Sequence, residues 1–534
     1  MKKQRLTRTI VFLLVLVMVF AMTACGGTDT PSEDPTDQPT KEPTEQDKTV
    51  EEEQEEEELE FVTLDWYLDF GEAQDGEMVN EAVNEYLKEK VNAHVNITWW
   101  SSKDFTTNIP TMISSGQDLG MLCYGRVPYV INATRGAYYP IDDLLDKYAP
   151  DTKALFPEDV WESMKVDGKI YGIPAFKDNA YIMNFIYNAD MADALGLDMS
   201  QVKFTDWRQI EPFLMEVAQK RSEMFPEYDQ YPVAGNNGSE MPYNFQVETF
   251  GVDLTAVANI APFNNVAAYD ADTIFNLYET DEYREYARSR QRMVENNIFA
   301  YDYTGKSEWN YTGGIFCWAG WGYTFMNPHH YGENFTTKMI MSDALWTTTE
   351  MYTGSGMAIS ANCKHPERAM MILNLINTDP EFATLMRFGI EDVHYTYDEE
   401  GKMTFEGTRN EDPGNRGFYH WYGAPLGNLT IVNAPESLVG PDRVMMKEIE
   451  RINREAVRST HFGFTLDASP ITNEIAATSN VVAEYQVDIR AGRFESQEEV
   501  DTILDEFIAK LKANGSDKIV AEVQRQVDEW KANR

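Results

Sequence analysis

The sequence predicts an α/β protein built as two lobes. Three observations lead there. The chain has 534 residues, enough for two sizeable cores rather than one. Between Phe61 and Tyr124, strand-like and helix-like stretches alternate, which implies parallel strands joined by crossover helices. The four cysteines, Cys25, Cys123, Cys317 and Cys363, are widely spaced and offer neither a disulfide framework nor metal spacing, so packing must supply stability.

The N-terminus reads as a processing signal over residues 1–24. Lys2, Lys3, Arg5 and Arg8 precede an apolar run from Ile10 to Ala21, which is too short for a comfortable membrane span. Met22-Thr23-Ala24-Cys25 then resembles the lipobox of bacterial lipoproteins, with methionine where leucine is usual. The resemblance implies acylation of Cys25, and two acyl chains make a stable anchor where one does not. Residues 25–60 are dominated by Pro, Thr, Asp and Glu and carry a net charge of −13. They have almost nothing apolar to offset the entropy of ordering, so a disordered tether is expected, reaching about 30–35 Å as a random coil. Its acidic run lacks the turn geometry of a calcium loop.

The body begins with a strand, Phe61 to Leu68, followed by the loop Asp69-Phe70-Gly71. Met78, Ala82, Val83, Tyr86 and Leu87 recur at helical spacing. Val95 to Trp100 is the second strand, Phe105 to Gly116 a helix closed by glycine, and Leu119 to Tyr124 the third strand. In such sheets ligands sit beyond the carboxyl ends of the strands, which places Tyr67, Asp69, Trp100, Tyr124 and Arg126 at a candidate site. Asp167-Gly168 is a turn pair, Ile170, Tyr171 and Ile173 form a short buried strand, and Pro174 ends its ladder. Helices are expected from Trp207 to Ala218 and from Tyr278 to Asn297. Gly313 to Tyr323 reads as a strand entering a tight loop that presents Trp318, Trp321 and Tyr323, each with a core position as the alternative. Thr353 to Ser360 is a strand, and Cys363 to Ile376 is a helix with Pro366 in its first turn. Phe418, Tyr419, His420 and Trp421 form an aromatic loop that is a secondary candidate for the cleft. Three amphipathic helices close the chain, with Ile475, Val482, Tyr485 and Ile489, then Val500, Ile503, Leu504, Phe507 and Leu511, then Val520, Val523, Val527 and Trp530 facing inward.

Several of these segments resemble the extracellular solute-binding proteins (family 1) of carbohydrate ABC transporters. The stretch Val166 to Phe176 with Tyr181 to Asn188 is similar to their first crossing between lobes. Ser114-Ser115-Gly116-Gln117-Asp118 and the helix entry from Gly136 to Ala149 resemble further segments of that family. So do Lys364-His365-Pro366-Glu367-Arg368-Ala369 and Gly389-Ile390-Glu391-Asp392-Val393-His394-Tyr395. The entry Gly463-Phe464-Thr465-Leu466-Asp467 with its three helices is similar to the C-terminal module of a large-lipoprotein subgroup. The resemblance implies the two-lobe periplasmic-binding-protein-like fold (class II), with lobes linked by a hinge around a ligand cleft. It divides the body into 61–176 with 345–395, and 177–344 with 396–534. It also implies a lipid-anchored receptor on the extracellular face of the cell membrane. Such a receptor, expected as a monomer, would pass an oligosaccharide to the permease subunits of an importer.

The remaining chemistry narrows the reading. The body keeps a net charge of −34, a field that repels nucleic acid and anionic lipid and favours neutral ligands. There is no nucleophile elbow, no phosphate-binding glycine loop and no cofactor motif, and the seven histidines are scattered. Tyr67, Asp69, Trp100, Arg126, Trp318, Trp321, Tyr323 and Trp421 are the expected ligand-binding residues, since aromatic faces stack on sugar C–H faces while carboxylates and guanidinium bond hydroxyls. Two other readings compete: a secreted glycoside hydrolase, which needs two carboxyls at defined spacing, and a peptide-binding receptor of the same fold.

Overall fold

The computed structural model describes residues 59–202, 210–235, 247–252, 254–258, 270–299, 315–321, 336–341, 345–420 and 426–534. The signal segment, Cys25 and the tether up to residue 58 lie outside the described residues. Among the described residues, no helix is long and apolar enough to cross a membrane.

The chain opens as its alternation predicts. Strand β1 (Val62–Asp69) sends Val62, Leu64, Trp66 and Leu68 into the core, as a period of two requires. Helix α1 (Gly76–Val91) follows and buries Val79, Val83, Leu87 and Val91 at helical spacing. Strand β2 (Ala93–Trp100) pairs parallel to β1 along its whole length. Helix α2 (Ser102–Ser114) is capped by the Ser101 hydroxyl, which accepts from the Asp104 N–H. Strand β3 (Met121–Tyr124) lies on the other side of β1, and α3 (Tyr129–Thr134) comes after it. Strand β4 (Gly172–Pro174) ends the first stretch.

The chain then leaves for a second core. Strand β5 (Met183–Asn188) is central to a small antiparallel sheet. Helix α4 (Ile210–Met224) and a separate three-stranded sheet follow, made of β6 (Val247–Glu248), β7 (Thr255–Ala258) and β8 (Ile274–Asn276). Helix α5 (Asp281–Glu295) starts on a Thr280 cap. Strands β9 (Cys317–Trp321) and β10 (Thr337–Met341) flank β5.

At β11 (Trp346–Thr347) the chain returns. Strand β12 (Gly356–Ile359) inserts antiparallel between β3 and β4, giving the order β2-β1-β3-β12-β4. Only glycine fits at its start: a Cβ on Gly356 would lie 2.2 Å from both the Ile173 carbonyl and the Tyr124 hydroxyl. Helices α6 (Pro366–Thr378) and α7 (Pro380–Phe388), the hairpin β13 (Thr396–Tyr397) with β14 (Met403–Thr404), and α8 (Val444–Glu455) complete this half. Strand β15 (Val457–Arg458) pairs parallel to β11 before the chain leaves again. Helices α9 (Thr472–Ala491), α10 (Gln497–Ala513) and α11 (Ser516–Ala532) end it.

Two apolar cores result. One gathers residues of 62–182 and 352–462, the other residues of 185–317 and 464–527. The stretch 396–462, which the sequence pattern places with the second lobe, therefore belongs to the first core. The reason is packing: Phe418, Leu426, Val432, Met445, Ile449 and Ile452 are all buried there. The last crossing comes near Phe462 to Phe464, not at 395–396.

The three crossings run side by side. Tyr181 bridges Trp346 antiparallel, its N–H donating to the Trp346 carbonyl at 2.7 Å, and the two rings stack 4.4 Å apart at 14°. On the other flank, the Val457 N–H donates to the Leu345 carbonyl and the Ser459 N–H to that of Thr347. Side chains reinforce the join. Asn453 accepts from the Asn179 N–H at 2.8 Å and donates to the Lys177 carbonyl at 2.6 Å, while the Thr347 hydroxyl donates to the Asn179 carbonyl at 2.6 Å.

Candidate functional site

The parallel register of β1 and β2 sets Tyr67 opposite Thr98 and Asp69 opposite Trp100. Tyr67, Asp69 and Trp100 therefore share one face at the carboxyl end of the sheet. The rings of Tyr67 and Trp100 lie 5.3 Å apart, tilted by 40°. Tyr67 is itself buried, and burial, with Asp65 and Asp118 next, raises its hydroxyl pKa. Trp100 is half-buried and is the ring with a face left to offer. The Gly71 N–H donates to the Trp100 carbonyl at 2.7 Å, which fixes the loop after β1 against the end of β2.

The turn after β3 completes this corner. Gly125 has φ +109°, and a Cβ there would lie 2.2 Å from the Gly354 carbonyl, so the chain passes close to the start of β12. Arg126, next in line, donates from Nε to Asp69 Oδ2 at 2.9 Å. The Asp69 side chain is only 6% exposed, whereas that of Arg126 is 61% exposed. The other oxygen, Asp69 Oδ1, is buried and has no hydrogen-bond partner among the described residues. A buried carboxylate oxygen without a donor is costly, and an incoming hydroxyl would satisfy it.

Gly125 also borders a cavity of about 390 Å³ between the two cores. Tyr129 and Val130 line it from the first core, and Phe250, Val252 and Phe464 from the second. Glu248, Thr349 and Glu350 supply polar groups. Glu248 is buried; its Oε1 accepts from the Ser459 hydroxyl at 3.0 Å, and its Oε2 lies 3.7 Å from His461 Nδ1.

The structure thus brings together four expected residues, Tyr67, Asp69, Trp100 and Arg126. Tyr124 does not join them: it is buried, its hydroxyl donates to the Tyr352 carbonyl at 3.2 Å, and it fills the core under β12. The main chain of Trp318 and Trp321 forms β9, opposite Ile186 and Met183, while their side chains lie outside what is described. Tyr323 and Trp421 lie outside the described residues altogether.

The secondary candidates fall in the first core rather than the cleft. His420 stacks on Trp99 at 4.9 Å and 7°, and Phe418 meets the same indole edge-on at 5.3 Å. Tyr419 lies under the Arg416 guanidinium, 3.8 Å from its ring centroid. Three apolar ring faces are better removed from water here than displayed.

Burial, with the Arg387 charge as the lesser cause, pushes the His420 pKa down to about 4. The fold therefore holds this imidazole neutral, while the unfolded chain protonates it near 6.5. Its contribution is fully present above pH 6.5 and is lost as pH falls toward 4, which amounts to about 3 kcal/mol. Denaturation of the His420→Phe variant, followed between pH 7 and 4, is expected to show a correspondingly flatter loss of stability.

A second cluster has no local sequence signature, because Asp75 lies more than 300 residues from both His394 and Arg409. Asp75 accepts from Arg409 Nη2 at 2.6 Å and from Arg409 Nε, and lies 3.2 Å from His394 Nε2. His394 Nδ1 accepts from the Ile390 N–H, so Nε2 carries the proton that faces Asp75. Burial lowers the His394 pKa, against the pull of Asp75. These residues pin the N-terminus of α1 to the 389–417 segment, a structural role.

Residues 71–292 match the family profile described as bacterial extracellular solute-binding protein. Residues 460–532 match a profile described as a domain of unknown function, DUF3502. A carbohydrate ABC transporter substrate-binding protein of Streptococcus pneumoniae serotype 4 is 26% identical over 469 residues, covering 84% of this chain and 87% of that protein. Among solved structures, the N-glycan transport solute binding protein NgtS from S. pneumoniae aligns with a TM-score of 0.70 at 21% identity, over 88% of this chain and 99% of that one. FusA from S. pneumoniae, solved in complex with kestose, aligns at 0.56 and 15% identity over 89% and 100%. Sheet order, paired cores and triple crossing agree with that likeness: the chain has the two-lobe fold of the solute-binding proteins it resembles, and its residues 71–292 carry the profile of the bacterial extracellular solute-binding proteins.

Proposed function

We propose that this protein is a non-catalytic receptor that captures an oligosaccharide between its lobes and delivers it to the permease of an ABC importer. The observation that carries the reading is the Asp69–Arg126 pair beside Trp100 at the carboxyl ends of β1, β2 and β3. Trp100 gives a sugar ring an apolar face, Asp69 Oδ1 accepts a hydrogen bond from a hydroxyl, and Arg126 donates from its exposed edge. The sugar-binding relatives support the ligand class. Cys25 is the proposed acylation site and the acidic segment after it the proposed spacer, which would hold the receptor on the outer face of the cell membrane. The body charge of −34 favours neutral chains over uronates.

Thermal shift of the protein with neutral oligosaccharides, acidic oligosaccharides and peptides tests the reading. A neutral ligand at a hundred times its dissociation constant should add about 2.7 kcal/mol. Stabilisation by peptides or uronates alone would sink it, and release of shorter products would favour a glycosidase. Arg126→Gln is expected to weaken sugar binding about tenfold, the loss of one charge-assisted hydrogen bond. Its melting temperature without ligand should also fall, because the buried Asp69 carboxylate loses its charged donor.

A further inference from the structure

The C-terminal module over 460–532 matches a profile of unknown function. The geometry points to a function for it: we propose that the module is a brace for the third interlobe crossing and sets the angle between the lobes.

The module is fastened to the second lobe. Arg284 and Arg288 of α5 both engage Asp501 of α10, with Arg288 Nη2 at 2.6 Å from its Oδ2. The α11 helix then makes two matched clamps. Gln524 accepts from the Ile274 N–H at 2.8 Å and donates to the Asp272 carbonyl at 3.1 Å, holding α11 to β8. Gln526 does the same to one residue of the chain leaving the crossing: it accepts from the Asp467 N–H at 2.9 Å and donates to the Asp467 carbonyl at 2.8 Å.

One turn further on, Trp530 meets the crossing itself. Its ring lies 5.8 Å from that of Phe464 and 6.2 Å from that of His461. Between them, Gly463 has φ +95°, and its Cβ position is 3.8 Å from Trp530. On the opposite side, the Gly463 N–H donates to the Thr349 hydroxyl of the returning crossing at 2.7 Å. Residues 463–467 are therefore gripped by α11 and move with the second lobe. Bending of this crossing is confined to the few residues between β15 and Gly463, and the grip of Trp530 and Gln526 fixes the direction in which the chain emerges. Trp530 and Gln526 are positioning residues for lobe closure.

The test needs no ligand, so its failure is separate from failure of the oligosaccharide reading. Spin labels at Lys103→Cys and Glu223→Cys, both exposed and on different lobes, report the interlobe distance. The described native thiols, Cys123, Cys317 and Cys363, are buried. Gln526→Ala and Trp530→Ala are each expected to broaden or shift the distance distribution of the unliganded protein. Gln524→Ala, which removes an equivalent clamp to β8 alone, is expected to leave it as in wild type. A wild-type distribution in the folded Gln526→Ala variant would overturn the proposal. So would an equal change in Gln524→Ala, which would reduce the clamps to general stability. If Trp530→Ala does not fold, the comparison of the two glutamine variants still decides.

Discussion

Replacing Asp75 by alanine is expected to destabilise the first lobe by about 3 kcal/mol. Removing one member of a buried charged cluster costs roughly 3–5 kcal/mol, because the groups left behind stay dehydrated and unpaired. The lower end applies here, since Arg409 is 52% exposed and can turn to water, whereas His394 is fully buried and cannot. The damage would spread beyond the cluster. The Asp75 N–H donates to the Gly417 carbonyl, and Gly417 lies so close that a Cβ on it would meet Asp75 Oδ2 at 2.3 Å. Equilibrium denaturation checks the magnitude. A loss below about 0.5 kcal/mol, the range of ordinary surface substitutions, would mean that the cluster does not anchor α1.

The other large effect is expected at the hinge. Trp346→Ala removes a buried indole that stacks on Tyr181 of the neighbouring crossing. Truncating a buried tryptophan costs about 3–5 kcal/mol. At this position the loss is also expected to loosen the join, because the stacked rings lie beside the backbone hydrogen bonds that Trp346 and Tyr181 exchange. Calorimetry should show a lower midpoint, and the two lobes, now coupled more weakly, should begin to melt as separate transitions. Trp346→Phe, which keeps an aromatic face, should recover most of the loss.

Much of the first lobe was legible in the sequence because its signals are local. The period of two in Val62 to Leu68, the 3.6 period of Val79, Val83 and Leu87, and Pro366 at a helix start each act within one element. The carboxyl-end rule then placed Tyr67, Asp69, Trp100 and Arg126 in one corner. Tyr124 failed under the same rule because position along a strand does not reveal what covers it; here β12 inserts beside β3 and buries the ring. Phe418, Tyr419 and His420 were misread for a related reason. A run of aromatics after Pro413-Gly414 looks like a displayed loop, yet Trp99, more than 300 residues earlier, provides its packing partner. The third crossing was misplaced because 396–462 contains helices whose apolar faces fit either lobe by pattern; only the burial of Met445, Ile449 and Ile452 in the first core decides. The Asp75 cluster and the Gln524 and Gln526 clamps depend on pairs far apart in sequence, where a single chain carries no signal at all.

Small-angle scattering of the protein titrated with neutral oligosaccharides, with the sugar afterwards recovered and weighed by mass spectrometry, shows whether the lobes close on a ligand that they leave intact. A receptor that closes two lobes around its ligand should contract on saturation, as the ligand draws the population toward the state in which it touches both lobes. A smaller radius of gyration is expected, with one equivalent of sugar bound and the sugar returned intact. Saturable binding without contraction, or a recovered sugar of lower mass, would contradict it.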